Sequence, residues 1–261
     1  MNQTTMDRAG FRQRFLAGEH LVGTFIKTPA THPVEIIGTV GFDFVVIDEE
    51  HAPWDRVTID AALLAARASG TAGIVRVAEP TAAKILSVLD DGAAGVLVPH
   101  VSSEAKAREV VAACRYRGGR RGFSNTTRAG GFGAVGFWDH ADAQDKSVTC
   151  IAMIEDPEAL DEIDAILAVE GLDGIFIGRG DLTAAFGAPA MDAPEIIEVC
   201  ERITAAARQA GKPIAFMAGT AAEVKRFREM GATAFIVASD QGFMRQAATR
   251  AYAEISAAGS N

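Results

Sequence analysis

The chain has 261 residues, 49% of them hydrophobic and 23% charged, with a formal net charge of −9. That composition supplies a sizeable core and excludes a disordered chain, while the acidic balance excludes a phosphate backbone as main partner, which would need clustered Lys and Arg. No apolar run approaches the roughly 18 residues of a membrane span, and the leading MNQTTMDRAGFRQRFLAGEH lacks a leader's apolar core.

The expectation is therefore a cytoplasmic globular protein acting on a small molecule, with neither nucleic acid nor membrane as partner. Cys114, Cys150 and Cys200 are widely spaced with no CxxC pair, which suits reduced buried thiols better than a disulfide framework or a zinc site.

Short β-rich runs follow one another in chain order: LVGTFI (21–26), FDFVVI (42–47), GIVRV (73–77), GVLVP (95–99), VTCIAMI (148–154), GIFIG (174–178), PIAFM (213–217) and AFIVA (234–238). Between most of them lie segments with helical spacing, at 58–68, 81–92, 103–115, 157–171, 194–211 and 220–231. Several of these stop at Gly. Strands buried on both faces read as continuous apolar runs, and parallel strands need helical crossovers. Eight such units in about 250 residues imply an α/β fold of the closed (β/α)₈ TIM-barrel type, one domain over 1–261. An open doubly wound sheet is the alternative, but no GxGxxG follows an early strand.

Residues 116–147 break the rhythm. They hold no clear period, several glycines and Arg117, Arg120, Arg121 and Arg128, and read as a long Gly/Arg-rich loop. Its arginines would suit an anionic ligand or a neighbouring subunit; a mobile surface excursion is the other reading.

In a barrel of this kind chemistry sits just past the C-terminal ends of the strands. The second run ends in Asp48, Glu49, Glu50 and His51; the third carries Arg76; the fourth leads to His100; the fifth ends at Glu155; the sixth leads through GRGD to Asp181. Crowded acids raise one another's pKa unless something neutralises them, and Glu155 with Asp181 could hold a hard divalent ion such as Mg²⁺ or Mn²⁺. The competing reading makes Asp156 or Asp181 a helix cap. His51 among acids suits a general base, or a packed structural histidine. Arg76 would face the barrel interior if Val75 and Val77 face the helices, and would then need an anion there, either a ligand or one of the acids.

Together these residues resemble the HpcH/HpaI family of metal-dependent (class II) pyruvate aldolases over nearly the whole chain. GFDFVVIDEEHAP is similar to that family's G-F-D-x-x-x-I-D-x-E-H-A-P signature, VRVAEP to its arginine strand, and IED with VEGLDGIFIGRGDLTAAFG to its metal-binding section. The resemblance implies a modified (β/α)₈ barrel whose terminal helix packs on a partner subunit, in a homohexamer built as a trimer of dimers. It implies a divalent metal cation (Mg, Mn or Co) on Glu155 and Asp181, His51 as base, Arg76 as enolate stabiliser and Asp90 as the residue that raises the basicity of His51. The backbone at Gly180 and Asp181 would hold the carboxylate of a 2-oxo acid, with an aldehyde as second substrate. The implied reaction forms or cleaves 4-hydroxy-2-oxo acids.

Three positions depart from the family pattern. Glu49 stands where relatives often carry Gly, Met153 where several have a substrate-contacting Gln, and Arg179 with Gly180 where GPAD has Pro-Ala. Arg179 could bring a cation to the carboxylate or form an outward salt bridge. Specificity for the aldehyde would lie in loops, with 117–133 and a neighbouring chain as the candidates. Other functions remain to be separated from the aldolase: a Schiff-base aldolase using Lys27, a related lyase acting on a thioester or bulkier oxo acid, and a non-catalytic metabolite-binding barrel.

Overall fold

A computed structural model describes residues 8–258. In chain order the elements are α1 (Arg8–Leu16), β1 (Leu21–Ile26), α2 (Thr31–Val40), β2 (Phe44–Asp48), α3 (Arg56–Ser69), β3 (Ala72–Arg76), α4 (Ala82–Asp90), β4 (Gly95–Val98), α5 (Glu104–Cys114), α6 (Phe137–Ser147), β5 (Thr149–Ile154), α7 (Ile163–Leu167), β6 (Gly174–Ile177), α8 (Arg179–Phe186), α9 (Pro194–Gln209), β7 (Ile214–Met217), α10 (Ala221–Met230), β8 (Ala234–Ser239) and α11 (Asp240–Ala258), with 3₁₀ turns at Arg128–Gly133 and Pro157–Leu160. The strands close in the order β1 to β8, each pair parallel.

Strand alternation divides the core in two. Phe44, Val46, Ile74, Leu97, Ile151, Met153, Phe176 and Ile236 fill the barrel, closed at one end by Phe11 and Phe15 of α1. Val45, Val75, Val96, Ala152 and Ile175 point the other way, into the layer shared with the helices. The interior fits tightly: a Cβ on Gly23 would stand 2.4 Å from the Phe44 ring, so the first strand needs glycine there. Because Val75 and Val77 belong to the outer layer, Arg76 belongs to the inner one.

Helix ends follow local chemistry. The Asp55 carboxylate accepts from Thr58 N while the Thr58 hydroxyl accepts from Asp55 N, a reciprocal cap that starts α3 and contributes about 1 kcal/mol. Ile59, Ala62, Leu63 and Ala66 then form its buried face, and Gly70 stops it with φ 74°.

Two sequence expectations are corrected. The helical spacing at 157–171 resolves into a 3₁₀ turn and the five-residue α7. The segment 116–147 is not a structureless loop, since it holds a 3₁₀ turn and α6. It leaves α5 and enters β5, so both its ends lie where strands begin, opposite the strand C-termini. Three of its four arginines find acids of their own chain: Arg117 pairs with Asp142, Arg121 with Asp90 at 3.1 Å, and Arg128 with Asp60 at 2.7 Å.

Candidate active site

The register of β2 and β3 sets Asp48 beside Arg76, and both face inward at the strand C-termini. Arg76 donates from Nε to Asp48 Oδ1 at 2.8 Å, and its Nη1 lies 3.2 Å from Glu50 Oε2. Of the two sequence readings for this arginine, the internal salt bridge is the one observed. The guanidinium also lies 4.7 Å from the centroid of the Phe25 ring. Asp48 is fully buried. Its burial opposes ionisation, but Arg76 and Lys27 hold its carboxyl below the usual range. Lys27 Nζ stands 3.0 Å from Asp48 Oδ2, so the Schiff-base candidate sits against a carboxylate instead of in the apolar pocket that role requires.

His51 is held through the turn that carries it. Its backbone N–H faces Asp48 Oδ1 at 3.3 Å, and Trp54 anchors the turn by donating from Nε1 to Ile26 O at 3.1 Å. The exposed His51 ring places Nε2 3.6 Å from Glu50 Oε2. Glu49 turns away from it, accepting from Ala78 N at 3.1 Å and Lys84 Nζ at 2.6 Å, so the residue that departs from the family pattern ties the β2–α3 turn to the start of α4.

Glu155 extends β5 by one residue past its end and is 2% exposed. His100 N donates to its Oε1 at 2.9 Å, while its buried Oε2 has no hydrogen-bond partner among the described residues. Burial raises the Glu155 pKa, the His100 N–H opposes that, and the charge of Asp181 raises it again, to about 7. A Cβ on Gly178 would meet this Oε2 at 2.5 Å; glycine keeps the space beside it clear. Neither Asp156 nor Asp181 caps a helix with its side chain. Gly180 and Asp181 are exposed in the first turn of α8, where backbone N–H groups have no helical partner.

An orphaned, protonation-prone carboxylate beside a second acid is what a divalent cation would relieve, so these residues fit one. Among the described residues no group of three or more His, Cys, Asp or Glu side chains could by itself hold a metal ion; two carboxylates would be the protein's share, which suits a hard ion that keeps waters and accepts ligand oxygens.

Lys27, Asp48, Arg76, Glu50, His51, His100 and Glu155 thus gather at the barrel mouth. Two residues named by the resemblance are not brought into this group. Asp90 closes α4, the helix that returns the chain to the start of β4, and is buried against Arg121 at 3.1 Å. It therefore does not meet His51 of its own chain. Met153 lies one inward layer below Glu155, 1% exposed, which leaves it no open surface for a ligand. Arg179 forms a salt bridge: Nη2 lies 3.0 Å from Met217 O and 2.8 Å from Glu223 Oε1, with the guanidinium over Phe227. His100 also pairs with Asp156, Nδ1 to Oδ1 at 3.0 Å, a contact that no spacing in the chain signals.

An eight-stranded parallel barrel whose mouth carries an arginine, two imidazoles and a buried carboxylate oxygen without a partner defines an enzyme of the (β/α)₈ class. Residues 21–247 match the model of the HpcH/HpaI aldolase/citrate lyase family. The chain is 40% identical to a 5-keto-4-deoxy-D-glucarate aldolase of Citrobacter koseri, covering 82% of this chain and 83% of that one. It is 36% identical to the enzyme of the same name from Enterobacter sp. (strain 638), covering 91% and 93%. Among solved structures, an HpcH/HpaI aldolase/citrate lyase family protein from Burkholderia cenocepacia superposes with a TM-score of 0.89 at 27% identity, over 95% of this chain and 99% of that one. The chain belongs to the HpcH/HpaI aldolase/citrate lyase family, and it is a carbon–carbon lyase of the aldolase type.

Proposed function

We propose that the enzyme is a divalent-metal-dependent aldolase that forms and cleaves 4-hydroxy-2-oxo acids, from pyruvate or a related 2-oxo acid and an aldehyde. The observation that carries this reading is Glu155 Oε2, buried without a partner next to Asp181. Glu155 and Asp181 would hold Mg²⁺, Mn²⁺ or Co²⁺, whose chemistry when bound is Lewis-acid polarisation of the 2-oxo acid's oxygens. The N–H groups of Gly180 and Asp181, at the positive end of α8, bind the substrate carboxylate. Arg76 aims its guanidinium at the oxygen that gains charge as the enolate forms. In cleavage, His51 takes the proton of the 4-hydroxyl; the C3–C4 bond breaks, the aldehyde leaves, and the bond's electron pair becomes the enolate of the 2-oxo acid, which is then protonated at its methyl carbon.

The named substrate of the relatives fits this scheme. A 5-keto-4-deoxy-D-glucarate has a 2-oxo acid at one end and a hydroxyl two carbons from the keto group, so cleavage would release pyruvate and a hydroxylated, carboxylated aldehyde. In the same reading Asp90 supports His51 only between two copies of the chain, and the insertion 117–133 reaches an active site only across such a contact. The helix α11 favours an assembly. Only its first residue, Asp240, is buried, and Met244, Tyr252 and Ile255 are exposed along it, so we propose that it packs on a partner subunit in a homohexamer.

The test is solvent deuterium exchange into the methyl group of pyruvate, with and without EDTA, and with borohydride as an imine trap. The expected result is exchange that EDTA abolishes and borohydride leaves intact. EDTA-resistant exchange with borohydride inactivation would replace this reading with a Schiff base on Lys27, and no exchange in metal-replete enzyme would overturn the pyruvate-enolate mechanism.

A further inference from the structure

His100 is a half-exposed polar residue at the barrel mouth that the proposed reaction leaves unused. Its backbone lies in the left-handed region, φ 55°, where a side chain with a Cβ is strained. Such a conformation persists when its surroundings hold it. Here two contacts do so: the His100 N–H donates to Glu155 Oε1 at 2.9 Å, and the ring lies 3.0 Å from Asp156 Oδ1 through Nδ1. The Asp156 carboxylate can only accept, so Nδ1 carries the proton in that contact and Nε2 is the ring's free end.

That free end faces Glu50. Nε2 stands 3.8 Å from Glu50 Oε1, too far for a hydrogen bond. Glu50 Oε2 is engaged on its other side by Arg76 at 3.2 Å, with the His51 ring 3.6 Å away. Two hydrogen-bonding atoms, one on a half-exposed imidazole and one on a carboxylate, therefore lie side by side without bonding each other. A spacing of 3.8 Å is what two adjacent hydroxyls, one donating to each atom, would span. A methylene in the same place would leave both atoms without a partner.

Resting on the aldolase reading above, we propose that His100 Nε2 and Glu50 Oε1 form a subsite for hydroxyl groups on the aldehyde half of the substrate, which makes His100 a specificity-determining residue for polyhydroxylated acceptors. The subsite lies on the opposite side of Glu50 from Arg76, so one carboxylate separates the part of the mouth that handles the enolate from the part that reads the acceptor. The partner that holds the ring, Asp156, is a positioning residue.

The experiment compares two three-carbon acceptors, D-glyceraldehyde and propionaldehyde, with pyruvate as donor and Mn²⁺-loaded enzyme. In wild type the hydroxylated aldehyde should have the higher kcat/KM. His100→Phe should raise the KM for glyceraldehyde about tenfold or more while changing that for propionaldehyde less than about threefold, because a site built to hydrogen-bond a hydroxyl discriminates through the groups left unpaired. His100→Asn serves where the bulkier variant fails to fold: asparagine tolerates the left-handed backbone but is too short to reach Glu50, and it should lose the same discrimination. Asp156→Asn should weaken the discrimination less than either. Equal changes for both aldehydes, or an unchanged ratio, overturn the proposal. Wild-type enzyme that exchanges pyruvate deuterium yet shows no preference between the aldehydes overturns it while sparing the aldolase reading; absence of exchange overturns both.

Discussion

Two buried acids at opposite ends of the barrel show what separates a structural charge from a reactive one. Asp173, just before β6, is 3% exposed and accepts from Arg12 Nη2 at 2.6 Å, Arg115 Nη2 at 3.0 Å and Cys150 N at 2.9 Å. Glu155, just after β5, is buried as deeply but has one N–H donor, an unpartnered Oε2 and Asp181 for a neighbour. The first carboxylate is over-supplied with donors and the second is starved of them. A buried charge without compensation is costly, so a fold that retains one either loses stability or completes the site with a ligand. The same contrast extends to the ends themselves. Near the strand starts, Arg14 with Asp43, Arg121 with Asp90 and Arg128 with Asp60 form pairs, whereas at the mouth Glu50 is approached by Arg76 and two imidazoles without close bonds to either ring.

The largest expected effect lies on the structural side. Asp173→Asn leaves two arginines without their carboxylate and should cost about 3–5 kcal/mol in urea unfolding, with metal binding by the folded fraction retained. A loss below about 1 kcal/mol would erase the distinction between the two ends. Arg76→Lys attacks the other side: keeping a cation but losing the planar fork should lower kcat/KM by about 10²–10³, roughly 3–4 kcal/mol, and stopped-assay kinetics would show it mainly in kcat.

The pH dependence is smaller. The folded-state pKa of Glu155, raised to about 7 by burial and Asp181, lies above its ordinary 4.5, so the protein without metal binds a proton there that the unfolded chain releases. Its burden on stability is absent at pH 4 and full above pH 7. For the same reason apparent Mn²⁺ affinity should fall about tenfold per pH unit below 7, about 1.4 kcal/mol each; titration calorimetry across pH 5.5–8 would reveal the slope, and a flat profile would place the proton elsewhere. The smallest effect belongs to Lys84→Ala. It releases the tie to Glu49 on a half-exposed lysine and should change stability by about 1 kcal/mol or less, so a large loss of activity would show that the tie positions His51.

The barrel was legible because its strands are buried on both faces and therefore read as unbroken apolar runs. Two helices outside the periodic segments, α6 and α11, show no apolar period, each for its own reason. The buried face of α6 is His140, Ala141 and Gln144, polar in two of three places, so no apolar period marks it. The exposed apolar residues of α11 have no partner within the chain to create one. At the site, Arg76, Glu155 and Asp181 could be found from strand ends alone, because the fold exposes chemistry there. Asp90 was carried over by resemblance, and within the chain it is a partner of Arg121 instead. The His100–Asp156 contact depends on a positive φ that only the folded backbone reveals, and of the two roles open to Arg179 only the folded geometry selects the salt bridge.

The central claim is that Glu155 is left unsatisfied so that a cation can complete it. Mn²⁺ titration of wild type and Glu155→Gln at pH 8, paired with thermal unfolding of both in EDTA, tests this most directly. The variant should lose Mn²⁺ binding and yet unfold at a higher temperature than wild type in EDTA, because a buried carboxylate that costs about 3 kcal/mol when ionised has been removed. A variant that still binds Mn²⁺ as wild type does, or that melts lower without metal, would contradict it.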